Sequence, residues 1–311
     1  MINILITEFI NPEALKILSK DFNVIYKKDI WENSDYLKKE INKFEGIIVR
    51  NKTNLNQSIL EKAENLKYIG RLGVGLDNID TEYCKKNNIF VQPATGMNAD
   101  SVAEYVISSS LSLLKKSKII NAKTQSGQWP RMSITTNELK GKNLGLIGFG
   151  DIAKKVLQLI NAFEVTTIAF DPFITSQEMA ENNVKKVTFE NILSLADIIS
   201  IHVPLNNETK YLFDEKIFQK MNNKPIIINS SRGGIINETD LLEAYKNNYI
   251  SGFALDVYEH EPVNKIFLKN ITNDMNCILS PHNAGVTEES NTRVSEFIMN
   301  KTNEFFLNFK F

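Results

Sequence analysis

The sequence contains few of the residues that build disulfide frameworks and metal centres. Its 311 residues include only two cysteines and three histidines. Cys84 and Cys277 lie far apart, without the close spacing of a zinc site or the density of a disulfide scaffold. We therefore expect no metal site and a protein suited to the reducing cytoplasm.

The sequence also lacks an excess of one charge and a long apolar run. Lysine and arginine total 36 and aspartate and glutamate total 37, which gives a net charge of −1. This balance provides no general attraction to nucleic acid or to an anionic membrane. No stretch approaches the roughly 18–20 apolar residues of a membrane span, and the first ten residues lack the basic start of a signal peptide. We expect neither nucleic acid nor a membrane as a partner.

Short apolar runs rich in β-branched residues alternate with helical patterns along the chain. One set of predicted strands covers 3–7, 22–26, 46–50, 67–73 and 89–94, with helical patterns at 11–20, 34–44 and 55–66. A second set covers 143–148, 166–170, 197–203, 225–229, 250–256 and 277–280. The alternation predicts an α/β protein with parallel sheets, and the length favours two domains. The amphipathic segment 287–309 follows the complete second set, so it could return to the first domain and make the second domain an insertion.

The stretch GFGDIA, which follows an apolar run, has the spacing of a dinucleotide-binding turn. Gly148 and Gly150 permit a tight turn and a close approach to a pyrophosphate, and Ala153 permits close packing of the next helix. Asp171 ends the following predicted strand, where an acid accepts hydrogen bonds from the adenosine ribose and disfavours NADP. These features favour an NAD site over an ordinary strand–helix turn. Asp151 stands beside the expected pyrophosphate, and its charge does not help to bind an anion.

Charged residues follow the last three predicted strands. Arg232, Glu261 and His282 each come just after one of these strands. Ligands of open α/β sheets bind outside the carboxyl ends of the strands. A cation for a carboxylate, a proton donor for an alkoxide and a carboxylate that holds the donor suit hydride transfer at a carbonyl beside a carboxylate. Each residue taken alone is also compatible with a purely structural role.

Seven motifs spread over the whole chain resemble the D-2-hydroxyacid dehydrogenase family. In chain order they are RLGVGLDNID (71–80), PATGMNADSVAEYV (93–106), ELKGKNLGLIGFGDIA (138–153), HVPLNNETKYLF (202–213), NSSRGGIINE (229–238), ALDVYEHEP (254–262) and SPHNAG (280–285). So many ordered matches are more specific than any single motif. The resemblance implies a flavodoxin-like substrate-binding domain made of residues 1–97 and 284–311. It also implies an inserted, doubly wound Rossmann-type NAD-binding domain at 98–283.

The same resemblance implies roles for individual residues in catalysis and substrate binding. Arg232, Glu261 and His282 match the catalytic set of the family. Backbone amides near Val74 and Gly75 match the site that holds the substrate carboxylate. The substrate-binding residues are thus expected to be Arg50, Val74, Gly75, Arg232 and His282.

The cofactor implied by the resemblance is NAD. Asp256 matches the acid that meets the nicotinamide amide, and residues 202–204 match the adenine side. The full set expected to bind NAD is Gly148, Gly150, Asp151, Ile152, Asp171, His202, Val203, Pro204, Ser230, Ser231, Arg232, Asp256, His282 and Ala284.

The segments VRNKT (49–53) and IGRLGVGLDNID (69–80) most resemble phosphoglycerate dehydrogenases and their sulfolactate-type relatives. These relatives use a basic group near Arg50 for a second anionic group of the substrate. The resemblance implies interconversion of a small D-2-hydroxy acid, such as 3-phosphoglycerate, and its 2-oxo acid, with sulfolactate and glycerate as alternatives. Asn51 in place of a small hydroxyl residue and Thr136 in place of a glycine depart from the family pattern. The sequence ends at residue 311, so we do not expect the regulatory extension of many phosphoglycerate dehydrogenases.

Two other groups of proteins with the same fold, corepressors and formate dehydrogenases, are alternative functions. Corepressors that sense NAD without catalysis resemble the dehydrogenases even in their catalytic residues, but a long disordered tail and a basic surface are missing here. Formate dehydrogenases pair the histidine with a glutamine, whereas Glu261 stands at the matching position.

The helix from Asp100 and the polar arm at 126–142 resemble the dimer contact of the family, which predicts a homodimer formed through 98–142.

Overall fold

The computed structural model describes residues 1–18 and 22–308, which divide into two compact units. The first unit comprises Met1–Asn98 and the chain from Val286 onwards, and the second comprises Ala99–Gly285. The expected domain limits, after residues 97 and 283, lie one and two residues from the limits of these units. The predicted helix ends at residues 19–20 and 309 lie outside the described residues.

The first unit contains a five-stranded parallel sheet. Its strands are β1 (Asn3–Ile6), β2 (Asn23–Tyr26), β3 (Gly46–Val49), β4 (Tyr68–Arg71) and β5 (Phe90–Pro93). Its helices along this part of the chain are α1 (Pro12–Leu18), α2 (Ser34–Glu40), α3 (Gln57–Leu60) and α4 (Thr81–Lys86). The strand order β2-β1-β3-β4-β5 is the flavodoxin-like order. β3 is buried along its whole length and the last three residues of β1 are buried, because apolar side chains cover both faces of the sheet.

The second unit contains a seven-stranded parallel sheet. Its strands are β6 (Asn143–Ile147), β7 (Thr166–Phe170), β8 (Lys185–Lys186), β9 (Ile198–Ile201), β10 (Ile226–Asn229), β11 (Gly252–Leu255) and β12 (Cys277–Leu279). Its helices are α5 (Ala99–Leu114), α6 (Ser117–Gln125), α7 (Asp151–Ile160), α8 (Ser176–Ala180), α9 (Phe189–Leu195), α10 (Glu215–Phe218), α11 (Glu238–Lys246) and α12 (Lys265–Lys269). The order β12-β11-β10-β9-β6-β7-β8 confirms the predicted doubly wound sheet, and its direction of winding reverses between β6 and β9. Ligands of such sheets bind at this reversal, beyond the carboxyl ends of the strands.

The last helix, α13 (Glu288–Asn308), belongs to the first unit. Its buried side chains include Val294, Ile298 and Phe306, which join Ile4 and Ile48 of the sheet in one apolar cluster. Short 3-10 turns lie at Ile30–Glu32, Ile41–Lys43, Pro130–Met132 and Asn161–Phe163. None of the helices described is long and apolar enough to cross a membrane.

Candidate active site

Arg232 is positioned by a turn that follows the buried strand β10. The side chain of Asn229, which is 1% exposed, donates from Nδ2 to the carbonyl of Arg232 (2.9 Å). Its Oδ1 accepts from the N–H and the hydroxyl of Ser231, at 3.1 and 2.7 Å. Nη1 of Arg232 donates to the carbonyl of Ser231 (2.7 Å). The turn therefore holds a half-buried guanidinium at the carboxyl edge of the sheet, and its planar set of donors suits a carboxylate.

The loop after β11 lies directly against this turn. A Cβ at Gly233 would be 1.7 Å from the carbonyl oxygen of Tyr258, so only glycine permits this approach. Glu238 and Glu259 connect the same two segments, because the backbone N–H of each donates to the carboxylate of the other, at 2.8 and 2.6 Å. Burial raises the pKa of Glu238 above its usual value. The turn that carries Arg232 and the loop after β11 are thus fixed to each other.

The structure brings His282 and Glu261 together. Nδ1 of His282 lies 2.7 Å from Oε2 of Glu261, and Oε1 of Glu261 accepts from the N–H of Tyr258 (3.2 Å). The two side chains are 49% and 39% exposed, so the pair is open to solvent. Since Nδ1 is engaged with Glu261, Nε2 is the ring nitrogen available to a substrate.

Asp256 is buried and anchors the segment that carries His282. Its carboxylate accepts from the hydroxyl of Ser280 (2.7 Å), the N–H of Asn283 (2.9 Å) and the N–H of Ala284 (2.9 Å). Its backbone carbonyl accepts from the N–H of His282 (2.7 Å). These bonds hold His282 at φ 53°, in the left-handed region that residues other than glycine seldom adopt. The expected nicotinamide contact of Asp256 remains a prediction, whereas this anchoring function had no signal in the sequence.

The glycine turn joins β6 to α7, and its two glycines have different surroundings. Gly148 has φ 88°, and a Cβ there would lie 2.5 Å from the carbonyl oxygen of His202. A Cβ at Gly150 would meet no atom within 4 Å, which leaves open space beside the turn. Asp171 closes the turn, since its Oδ2 accepts from the N–H of Phe149 (2.9 Å).

The start of α7 fits the pyrophosphate of NAD. The helix begins after Gly150, and no side chain caps its first N–H groups. Free amides and the positive end of the helix dipole therefore adjoin the open space at Gly150. Asp151 is exposed at this helix end. The hydroxyl of Ser230, which follows β10, is buried without a partner among the described residues, as expected of a group that meets a ligand.

His202 and the other expected cofactor residues lie on loops of the second unit. Nε2 of His202 lies 2.9 Å from Oγ of Ser200, and burial lowers the pKa of His202 to about 4. The ring is therefore neutral at physiological pH. The remaining expected residues lie on α7 (Ile152), after β9 (Val203, Pro204), after β10 (Ser231) and in the segment that Asp256 anchors (Ala284). Residues 1–18 and 22–308 contain no group of three His, Cys, Asp or Glu side chains that could hold a metal ion.

In the first unit, the expected substrate residues follow β3 and β4. The N–H groups of Val74 and Gly75, after β4, donate to no group in the described part of the chain. Arg50, directly after β3, is half-buried, and burial lowers its pKa. Its Nη2 donates to Oδ1 of Asn291 on α13. Asn291 was not among the predicted residues, because 241 positions separate it from Arg50 and no motif connects them.

Comparison with known proteins gives matches along the whole chain. Residues 107–284 match the family described as D-isomer specific 2-hydroxyacid dehydrogenase, NAD binding domain. The (S)-sulfolactate dehydrogenase of Chromohalobacter salexigens is 34% identical over 296 residues, which cover 95% of this chain and 95% of that protein. The D-3-phosphoglycerate dehydrogenase of Bacillus subtilis is 33% identical over 308 residues, which cover 98% of this chain and 57% of that protein. The chain thus spans little more than half of the latter relative.

Solved structures share the architecture. The D-lactate dehydrogenase from Aquifex aeolicus, complexed with NAD and lactic acid, has a TM-score of 0.84 at 28% identity and covers 98% of this chain and 96% of that one. A glyoxylate reductase from Paecilomyes thermophila has a TM-score of 0.89 at 22% identity, over 99% of this chain and 96% of that one. The second likeness concerns the fold alone.

Proposed function

The chain belongs to the D-isomer specific 2-hydroxyacid dehydrogenase family, whose members use NAD, and we propose that its substrate is a small D-2-hydroxy acid with a second anionic group at its far end. The reaction interconverts this acid and the corresponding 2-oxo acid. 3-Phosphoglycerate and sulfolactate fit this description, and each corresponds to the name of a relative. Glycerate, which lacks the second charge, is the alternative.

The 2.7 Å contact between Nδ1 of His282 and Oε2 of Glu261 is the main support for the proposed chemistry. In the reduction direction, His282 donates a proton from Nε2 to the C2 oxygen of the substrate, and in oxidation it removes that proton. Glu261 orients the ring through Nδ1 and balances the charge of the imidazolium. Arg232 binds the substrate carboxylate and polarises the C2 oxygen. The glycine turn and Asp171 would hold the cofactor, which in its reduced form would supply the hydride.

The first unit supplies the residues that recognise the substrate. The free N–H groups of Val74 and Gly75 bind the carboxylate beside C2. Arg50 binds the second anionic group. Within residues 1–18 and 22–308 its half-buried guanidinium forms no salt bridge, and Glu8 is the one carboxylate among the groups that shift its pKa, so the site can accept a ligand anion.

Selectivity for the second charge is tested by NADH consumption with a series of 2-oxo acids. The series contains 3-phosphohydroxypyruvate and sulfopyruvate, and hydroxypyruvate, glyoxylate and pyruvate as acids with one charge. We expect kcat/KM to be at least about 10-fold higher for an acid with two charges, the usual effect of one charge-assisted hydrogen bond. Arg50→Gln should remove this advantage and Arg50→Lys should retain part of it, because lysine keeps the charge and loses the planar set of donors. An equal loss for all acids in Arg50→Gln would exclude Arg50 as the selectivity residue.

We further propose a homodimer formed through 98–142. Two large apolar side chains on the arm are exposed, Trp129 at 81% and Met132 at 93%, and a contact with a second copy of the chain would bury them. The double substitution Trp129→Ser and Met132→Ser should shift the sedimentation coefficient from a dimer towards a monomer. Ile266→Ser, at an exposed position outside the arm, is the matched control. A dimer that persists in the double variant at low concentration would contradict this interface.

A further inference from the structure

The backbone around Arg50 is fixed from two sides. The carboxylate of Glu8, 4% exposed, accepts from the N–H groups of Arg50 (2.8 Å), Lys52 (3.0 Å) and Thr53 (2.9 Å). Nδ2 of Asn78 donates to the carbonyls of Arg50 (3.0 Å) and Thr53 (2.6 Å). The carboxylate of Glu8 is therefore hydrogen-bonded to the backbone and forms no salt bridge with the guanidinium of Arg50. The backbone that carries the side chain of Arg50 is therefore held in place by these hydrogen bonds.

The guanidinium itself lies between a ring and an amide. The ring of Phe9 is 5.9 Å from the guanidinium carbon of Arg50. Oδ1 of Asn291, in the first turn of α13, accepts from Nη2 of Arg50. Both neighbours are uncharged, and the only carboxylate whose charge acts on Arg50 among the groups that shift its pKa is that of Glu8, which the backbone engages. The half-buried cation can therefore still attract a ligand anion.

The contact with Arg50 determines which way the amide of Asn291 faces. A guanidinium has donors only, so the carbonyl oxygen of Asn291 must face it, and the NH₂ group then faces elsewhere. Within residues 1–18 and 22–308, this NH₂ group donates to no acceptor. Arg50 and Asn291 therefore present free donors side by side.

We propose that Asn291 is a specificity-determining residue that acts with Arg50 on the second anionic group of the substrate, a phosphate, sulfonate or carboxylate. Its carbonyl oxygen orients the guanidinium, and its NH₂ group donates to the same anion. This inference rests on the proposed function, because it requires a substrate with two charges. It adds to that function a second residue, on a helix far along the chain, which discriminates between acids with one and two charges.

Asn291→Asp removes the NH₂ donor and adds a negative charge with little change of shape. The new carboxylate pairs with Arg50 and repels the anion that the site would bind. Asn291→Leu removes the hydrogen bonds without adding charge. Asn300→Asp is the matched control, because it makes the same charge change at an exposed position of α13.

The experiment measures kcat/KM for 3-phosphohydroxypyruvate, sulfopyruvate and pyruvate, together with the NADH dissociation constant and the thermal midpoint of each variant. We expect the ratio of kcat/KM for the better doubly charged acid over pyruvate to fall about 100-fold in Asn291→Asp and about 10-fold in Asn291→Leu, mainly through KM. Asn300→Asp should keep the wild-type ratio. Unchanged NADH affinity and thermal midpoint identify a local effect on substrate selection.

The outcomes separate this inference from the proposed function. A wild-type protein without preference for either doubly charged acid overturns both. A wild-type preference that Asn291→Asp retains within about 3-fold overturns the inference alone and leaves the function of Arg50 in place. A fall in kcat/KM that is equal for pyruvate and the doubly charged acids also overturns the inference, since it indicates a general structural effect.

Discussion

At the scale of the residue, the proposed chemistry depends on His282. Glu261 engages Nδ1 at 2.7 Å, and the backbone carbonyl of Asp256 holds the N–H of His282 at 2.7 Å. The ring and the backbone are thus both positioned by neighbours in the second unit. Nε2 is left as the nitrogen that exchanges a proton with the substrate.

Substitution of His282 by glutamine removes this proton exchange and keeps a side chain of similar polarity. We expect kcat to fall by about 10²–10⁴-fold, the usual contribution of general acid–base catalysis. The free energy of unfolding should stay close to the wild-type value, since the His282 side chain is 49% exposed. His260→Gln is the control, since His260 is exposed. Turnover near the wild-type rate in His282→Gln would remove His282 from the mechanism.

His202 should make the stability of the protein depend on pH. Burial lowers its pKa from 6.5 to about 4, so below pH 6.5 the unfolded chain binds a proton that the folded chain resists. The resulting contribution to the free energy of unfolding is present above pH 6.5 and is lost as the pH falls towards 4. We expect the free energy of unfolding, measured with urea, to fall between pH 7 and about pH 4.5 in both proteins. This fall should be about 2 kcal/mol larger in the wild type than in His202→Gln. Equal losses in the two proteins would contradict the assignment of a neutral, buried ring.

The sequence was informative about residues that follow strands and uninformative about their distant partners. Arg232, Glu261 and His282 could be predicted because each comes just after an apolar run, and such positions share one edge of a parallel sheet. The contact of Glu8 with the Arg50 backbone spans 42 positions and that of Asn291 with its side chain spans 241. Neither distance leaves a local pattern, so only the folded chain reveals these contacts.

At the scale of the element, the two glycines of the turn between β6 and α7 have different roles. We expect Gly148 to matter for stability and Gly150 to matter for NADH binding. Gly148→Ala introduces a Cβ at a positive φ, 2.5 Å from a carbonyl oxygen, so we expect the free energy of unfolding to fall by about 1–3 kcal/mol. Gly150→Ala meets no atom within 4 Å and should leave stability near the wild-type value. The same substitution should weaken NADH binding about 10-fold, since its methyl group enters the space left for the pyrophosphate.

Urea denaturation and fluorescence titration with NADH measure the two quantities on the same protein samples. Wild-type stability in Gly148→Ala would show that the turn tolerates a side chain there. Wild-type NADH affinity in Gly150→Ala would place the pyrophosphate elsewhere.

Several elements depart from the sequence patterns for physical reasons. The helix expected from Asp100 is α5, which ends at Leu114, and a left-handed residue, Lys116 at φ 50°, separates it from α6. The sequence has no glycine or proline at this break, so it could not be foreseen. β8 is only the pair Lys185–Lys186, which has no apolar pattern and owes its extended shape to pairing with β7.

At the scale of the whole molecule, the chain forms two parallel sheets of different strand order. The alternation of strands and helices predicts that the sheets are parallel, but it does not specify which strands are neighbours. The resemblance to a known family implied the two fold types, and the structure gives the strand orders β2-β1-β3-β4-β5 and β12-β11-β10-β9-β6-β7-β8. The return of α13 to the first unit was expected because the segment follows the complete second set of strands, and its residues Val294 and Ile298 are buried there.

We propose that this chain transfers a hydride between NAD and a D-2-hydroxy acid. The most direct measurement mixes the purified full chain with NADH and the series of 2-oxo acids, follows absorbance at the NADH band, and determines the configuration of the product. We predict consumption of NADH in equal amount to a D-2-hydroxy acid, fastest with an acid that carries two charges. NADH binding without turnover of any acid, or formation of the L-product, would contradict the account.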